Sequence, residues 1–306
     1  MTELNVIDAR PEHAEQVVDV IHQSFGARPV LDPPSTALDE TVESVREALE
    51  RDGGLLVERR GVPMGALLFD ESRPGLLGLK RVSVIPGLQD RGVASAMVGV
   101  AEDVAEDRGK DGIWLHVREE LPENVQFWSR RKYLQVDKSG TTLTFGKTLW
   151  LAIEAPTSDA MQAVADRVAG MLRAGDLLVL TGDLGAGKTT FTQGLGAALG
   201  VRGPVTSPTF VIARTHPSLV GGPALVHVDA YRLGGAAEVD DIDLDATADQ
   251  AVTVVEWGEG LAEQLADSWL HITIEVREVD ETRIVTIRPH GSRWIGVPLR
   301  STILRR

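Results

Sequence analysis

Residues 182–189 read Gly182-Asp183-Leu184-Gly185-Ala186-Gly187-Lys188-Thr189, a full match to the pattern G-x-x-x-x-G-K-[ST]. This pattern constrains the fold as much as the chemistry, because it works only between a buried strand and the start of a helix. Both flanks are present. Residues 176–181 (Asp-Leu-Leu-Val-Leu-Thr) read as a short buried strand, and residues 190–199 carry Phe191, Leu195, Ala198 and Leu199 near helical spacing. Gly182, Gly185 and Gly187 let backbone N–H groups close around a polyphosphate where a side chain would block the approach. The helix N-terminus adds partial positive charge at the same place. On this reading residues 182–190, through Thr190, cradle a nucleoside triphosphate. Lys188 reaches its β and γ phosphates, and the Thr189 hydroxyl holds Mg²⁺. Lys188 is also the only lysine after Lys147.

Downstream, three segments fall where a small nucleotide hydrolase needs them. Ser207-Pro208-Thr209-Phe210 reads as a turn whose hydroxyls can meet a γ-phosphate or Mg²⁺. An apolar run at 225–228, interrupted by His227, ends at Asp229 and leads into Ala230-Tyr231-Arg232-Leu233. A second apolar run at 251–255 ends at Glu256-Trp257. Carboxylates at the C-terminal ends of parallel strands reach the Mg²⁺ site beside a P-loop. Glu256 is therefore read as a metal ligand, and Asp229 as a ligand, a water-positioner or part of a switch. The guanine-specifying Asn-Lys-x-Asp cannot occur after Lys188, so ATP is expected rather than GTP. The half-chain leaves little room for a substrate lid, which favours a regulatory ATPase over a small-molecule kinase.

The chain of 306 residues has room for about two domains. The expected seam lies at 146–149, giving domains 1–148 and 149–306 with a short linker. The first half alternates helices (12–25, 38–51, 93–108, 122–131) with strands (54–58, 62–69, 76–84, 113–117, 141–145), and Arg60-Gly61 turns a hairpin. Pro156-Thr157-Ser158-Asp159 opens a helix in the second half. The fold class is α/β: a mixed sheet with helices first, then a P-loop NTPase with a mostly parallel sheet.

The sequence has no run of 18 apolar residues, no leader pattern at 1–10 and no cysteine. No membrane span is expected, thiolate metal sites and disulfides are excluded, and a cytoplasmic location fits. The net charge is −14. It is shared evenly, with 18 basic and 25 acidic side chains in residues 1–150 and 13 and 20 in residues 151–306. Such a surface is a poor partner for a phosphate backbone, so strong direct binding to nucleic acid is not expected. The seven histidines show no metal-ligand spacing.

Gln89-Asp90-Arg91-Gly92-Val93-Ala94 matches Q/R-x-x-G-x-G/A between the strand Arg81-Val82-Ser83-Val84-Ile85-Pro86 and a helix. With Asn124, Phe127-Trp128 and Tyr133, it makes residues 1–148 resemble the GCN5-related N-acetyltransferase (GNAT) family. The resemblance implies a mostly antiparallel sheet splayed at the strand of Val82 and Val84. Acetyl-CoA would enter there, with Gln89, Arg91, Gly92, Val93 and Ala94 at its pyrophosphate. Trp128 stands where the family often has a proton-donating tyrosine, so acetyl-CoA binding is better supported than transfer. Tyr133 is read as core filler, and Glu119 or Glu120 as a general base or a solvated pair.

The motifs at 182–190, 207–210, 227–233 and 255–257 closely resemble the TsaE (YjeE) family, the ATPases of bacterial tRNA threonylcarbamoyladenosine biosynthesis. The resemblance implies ATP hydrolysis that resets a TsaD–TsaB complex, with tRNA met only indirectly. It assigns Lys188 to phosphate, Thr189 and Glu256 to Mg²⁺, and Asp229 to a switch near the γ-phosphate. Ala230 and Gly258 depart from the family's usual Leu and Pro without removing a catalytic group. A small-molecule kinase, or an ATPase carrying a non-catalytic acyl-CoA sensor or docking module, are the competing readings.

Overall fold

The computed structural model describes residues 4–88, 92–208, 212–232, 249–260 and 265–304. Its contacts divide the chain between Lys147 and Thr148 into two units.

The first unit is a seven-stranded sheet in the order β1-β2-β3-β4-β5-β7-β6. The strands are β1 (Asn5–Ala9), β2 (Gly54–Arg59), β3 (Val62–Asp70), β4 (Leu76–Val84), β5 (Gly112–Arg118), β6 (Leu134–Ser139) and β7 (Thr142–Thr148). Arg60 and Gly61 both have positive φ, the backbone that closes a two-residue hairpin between β2 and β3. Helices α1 (Ala14–Gly26) and α2 (Val42–Arg51) share an apolar cluster with Leu56, Ala66 and Leu68 on one sheet face. Helix α3 (Val93–Asp107) covers the other face. A Cβ on Gly65, next to Ala66 and so pointing the opposite way, would lie 2.9 Å from Val93 Cγ1. Helix α4 (Pro122–Arg130) follows β5.

One expected helix is shorter than its sequence pattern. Residues 38–51 do not form a single helix: a 3₁₀ turn spans Thr36–Asp39 and α2 starts afresh at Val42. Thr41 and Ser44 cap it reciprocally, each hydroxyl accepting from the other's N–H at 3.1 and 2.9 Å. The capping chemistry of Thr41 overrides the apolar continuity on which the longer helix rested.

Strand β4 is irregular on both edges. Against β3, Lys80 pairs with Leu68 and Ser83 with Ala66, so Arg81 and Val82 oppose Leu67 alone. Arg81 takes φ +52° at this bulge. Against β5 the pairing is parallel and runs from Leu76↔Gly112 to Leu79↔Leu115. Beyond it the two strands part.

The second unit is also built on seven strands, in the order β10-β11-β12-β9-β13-β14-β8. The central strands β11 (Ala224–Asp229), β12 (Ala251–Glu256), β9 (Leu177–Thr181) and β13 (Trp269–Val276) run parallel. β10 (Ala213–His216), β14 (Arg283–His290) and β8 (Leu151–Ala155) add antiparallel edges. Continuous apolar runs in β9, β11 and β12 reflect burial on both faces. α5 (Ser158–Ala169, capped by Thr157), α6 (Lys188–Ala198) and the C-terminal α7 (Leu299–Ile303) pack into one core with the sheet.

Candidate functional site

Strand β9 ends at Thr181, α6 begins at Lys188, and the glycine-rich loop lies between them. Gly182 has φ +144°, and a Cβ there would lie 2.3 Å from the carbonyl oxygen of Ile274, so only glycine fits. Gly185 (φ +82°) and Gly187 (φ +114°, the N-cap of α6) continue the turn. Asp183 and Leu184 are exposed at its tip, Ala186 is buried, and Thr190 lies partly buried in the first turn of α6.

Lys188 is 5% exposed. Its ammonium donates to the carbonyls of Gly182 at 2.7 Å and Asp183 at 3.0 Å, and sits 3.8 Å from the centre of the Trp257 ring. Burial lowers its pKa, while Glu256, Asp229 and Asp183 oppose that shift.

The carboxylates arrive by sheet register. β11 and β12 run parallel with Asp229 directly beside Glu256. Glu256 is buried, accepting from the Thr189 hydroxyl at 3.2 Å and bonded to His227 Nε2 at 2.8 Å. Asp229 accepts from the Ser207 hydroxyl at 3.2 Å and the Tyr231 N–H at 3.1 Å. Lys188, Thr189, Asp229 and Glu256 are therefore brought to one end of the sheet. His227, fully buried with its ring on Glu256, has no spacing that marks it; its signal is a histidine inside an apolar strand. The rings of Tyr231 and Trp257 are tilted by 58° to one another with centres 5.3 Å apart. Thr209, Phe210 and Leu233 lie outside the described residues, as does the side chain of Arg232.

These residues fit a nucleoside triphosphate and Mg²⁺. A side chain at Gly182 would close the loop, and the hydroxyl and carboxylate at Thr189 and Glu256 are hard oxygen donors of the kind Mg²⁺ takes. Among the described residues no cluster of three or more His, Asp or Glu forms a metal cage.

In the first unit Val82 and Val84 are partly buried where β4 leaves β5. Gly92 has φ +80° as the N-cap of α3, and a Cβ added there would meet no heavy atom within 4 Å. Val93 and Ala94 open the helix. Gln89, Asp90 and Arg91 lie outside the described residues. Arg28 donates to the carbonyl of Val82 at 3.2 Å and stacks on Phe25, and burial lowers its pKa to about 10. Tyr133 is buried, with its hydroxyl donating to Glu102 at 3.0 Å and its ring edge-on to Trp128. Glu102 also holds Lys147 at 2.7 Å. Neither acidic candidate base is free: Glu119 pairs with Lys138 at 2.5 Å and Glu120 with Arg118 at 2.7 Å. The Arg118 hydrogen bond lowers the pKa of Glu120.

Residues 155–285 match the family model for the threonylcarbamoyl adenosine biosynthesis protein TsaE, and residues 20–133 match the acetyltransferase (GNAT) family. The chain is 58% identical over 139 residues to the tRNA threonylcarbamoyladenosine biosynthesis protein TsaE of Streptomyces coelicolor, covering 44% of this chain and 93% of that protein. The TsaE of Mycobacterium tuberculosis H37Rv is 44% identical over 165 residues, 52% of this chain and 96% of that protein. Among solved structures, the PaiA N-acetyltransferase of Thermoplasma acidophilum in complex with coenzyme A is 14% identical, with a TM-score of 0.44. It covers 48% of this chain and 99% of that one. Through its second unit the chain belongs to the TsaE family, and residues 20–133 ahead of that unit match the GNAT family model.

Proposed function

We propose that residues 149–306 form a Mg²⁺-dependent ATPase serving threonylcarbamoyladenosine formation on tRNA by resetting a TsaD–TsaB complex. The observation that carries this reading is the placement of Asp229 beside Glu256, with Glu256 bonded to Thr189 of the phosphate loop. The loop N–H groups and Lys188 bind and orient the phosphates, while Thr189 and Glu256 hold Mg²⁺. When bound, Mg²⁺ neutralises charge developing on the phosphates. Asp229, tied to Ser207 and to the backbone of Tyr231, links the phosphate end of the site to the segment that follows β11. His227 fixes the Glu256 carboxylate from the buried side. Product analysis of the full chain with ATP tests the reading. Hydrolysis yields free phosphate whose rate responds to TsaD–TsaB, whereas a phosphorylated small acceptor would make the unit a kinase.

Residues 1–148 are proposed to bind acetyl-CoA, with the pyrophosphate at the N-terminus of α3 around Gly92, Val93 and Ala94 and the pantetheine along Val82 and Val84. The parting of β4 from β5 beside these residues supports the reading. Isothermal calorimetry with acetyl-CoA tests it, and absence of heat at millimolar ligand would refute it. The buried, bonded hydroxyl of Tyr133 and the indole at Trp128 leave the departing thiolate without the family's usual proton donor. Transfer is accordingly expected to be slow.

A further inference from the structure

We propose that His116 is the general base that deprotonates an amine acceptor in the first unit. The proposal rests on the acetyl-CoA reading above and adds to it the residue that faces the acceptor.

The parallel pairing of β4 and β5 ends at Leu79↔Leu115, which makes His116 the first β5 residue past the point where the strands part. Lys80 and the Arg81–Val82 bulge stand at the same level on β4. The thioester of an acetyl-CoA lying along Val82 and Val84 would come to this opening. The two sides of the sheet are chemically distinct here. Helix α3, which would receive the pyrophosphate, covers the face to which Gly65 points.

His116 points to the other face. A Cβ on Gly78 would meet Asp70 and Trp114, placing Gly78 and its β5 neighbour Trp114 on the same side. Trp114, His116 and Arg118 alternate along β5 and so share that face. Arg118 donates to the carbonyls of Asp32 and Pro33, in the segment joining α1 to α2. His116 therefore lies on the α1–α2 side, opposite α3, where a second substrate can approach the thioester.

The ring is set up for the task. Nδ1 lies 3.2 Å from the Thr144 hydroxyl, and Nε2 has no hydrogen-bond partner among the described residues. With Nδ1–H donated to Thr144, Nε2 carries the lone pair. Partial desolvation, Arg73 and Lys80 lower the pKa below the ordinary histidine value, which favours the unprotonated ring, while Asp137 and Asp70 oppose the shift. Glu119 and Glu120, by contrast, are each occupied by a cationic partner.

The step balances without a further reactant. Nε2 takes one proton from the acceptor ammonium and passes it to solvent. The freed amine nitrogen forms a bond to the acetyl carbonyl carbon, and the C–S bond then breaks. The second nitrogen proton reaches the departing thiolate through water, giving the amide and CoA-SH.

The test uses the full chain, with acetyl-CoA as donor and glycinamide or water as acceptor, following release of the CoA thiol. His116→Gln should lower release at least about tenfold at pH 7, the lower edge of general-base effects. It should leave acetyl-CoA affinity by calorimetry essentially unchanged, because the ring lies on the sheet face opposite α3. In the wild-type chain kcat should rise with pH through an inflexion below 6.5, the ordinary histidine value, and the variant should lose that inflexion. Binding of acetyl-CoA with no thiol release above buffer, or with a rate and inflexion unchanged in His116→Gln, overturns the assignment. Absence of acetyl-CoA binding instead overturns the acetyl-CoA reading on which it stands.

Discussion

Lys188 has two duties that pull in opposite directions. In the proposed ATPase its charge acts at a transferring phosphate, yet the side chain is buried, and burial disfavours the ammonium. Lys188→Met should therefore remove hydrolysis by at least about 100-fold while the chain stays folded, because the relieved burial cost of the ammonium offsets part of its lost hydrogen bonds to Gly182 and Asp183. Phosphate release and thermal melting on the same preparation check both halves of the prediction. Thr189→Ala and Glu256→Ala should act differently, raising the Mg²⁺ concentration needed for half-maximal turnover. A Mg²⁺ titration that is unmoved in both variants would remove them from the metal site. The loop residues are legible in the sequence because their spacing is set by local chemistry, and the two carboxylates because each ends a buried apolar run. His227 and His116 are not, because what distinguishes them is a partner from another strand: Glu256 for one, Thr144 and the parted β4 edge for the other.

Elements show the same division between local and tertiary signals. Strand β4 is legible at its observed bounds, and α3 and α4 to within a residue at their ends, since apolar pattern and turn residues agree there. β6 is not legible, because Leu134–Ser139 is exposed throughout and has no apolar alternation tied to a core. β13 does alternate, with Leu270, Ile272 and Ile274 buried, and its role as a central strand depends on β9 beside it. The bulge of β4 carries no sequence signature, and the parting from β5 is expected only through the motif resemblance to the GNAT family. Two glycines separate stability from binding at this scale. Gly182→Ala should destabilise the second unit by more than about 1–3 kcal/mol, because the backbone strain of φ +144° adds to a clash with the Ile274 carbonyl. Gly92→Val meets no protein atom nearby, so its structural cost is limited to the strain at φ +80°, about 1–3 kcal/mol. It should nevertheless abolish acetyl-CoA binding by calorimetry. Retained binding would move the pyrophosphate away from α3.

At the scale of the whole molecule, each unit has its own core and its own excess of acidic side chains. The TsaE relatives are covered almost completely by the second half of this chain. Residues 149–306 expressed alone should fold and hydrolyse ATP at a rate within about threefold of the full chain, an allowance for ordinary context effects on a site built entirely within that unit. Loss of folding in that fragment would show that the proposed boundary cuts through a structural unit. The full chain should bind free tRNA weakly, because a surface with net charge −14 releases few counterions from a phosphate backbone. A submicromolar, steeply salt-dependent complex in a filter-binding assay would contradict this. ATP turnover by the chain alone should be slow and should change when TsaD and TsaB are added, because a partner-supplied arginine finger is a common solution, with Arg232 the internal candidate.

The pairing of Asp229 with Glu256 has a mechanical meaning. The two residues occupy one rung of a parallel ladder, so their backbones are held by hydrogen bonds at the strand spacing of about 4.8 Å. Loop motion on either side can change what meets the two side chains but not the spacing of the backbones that carry them. The site's tolerance is thus that of a sheet, and slipping β11 by one residue would turn Asp229 to the opposite face while His227 and Glu256 lost each other.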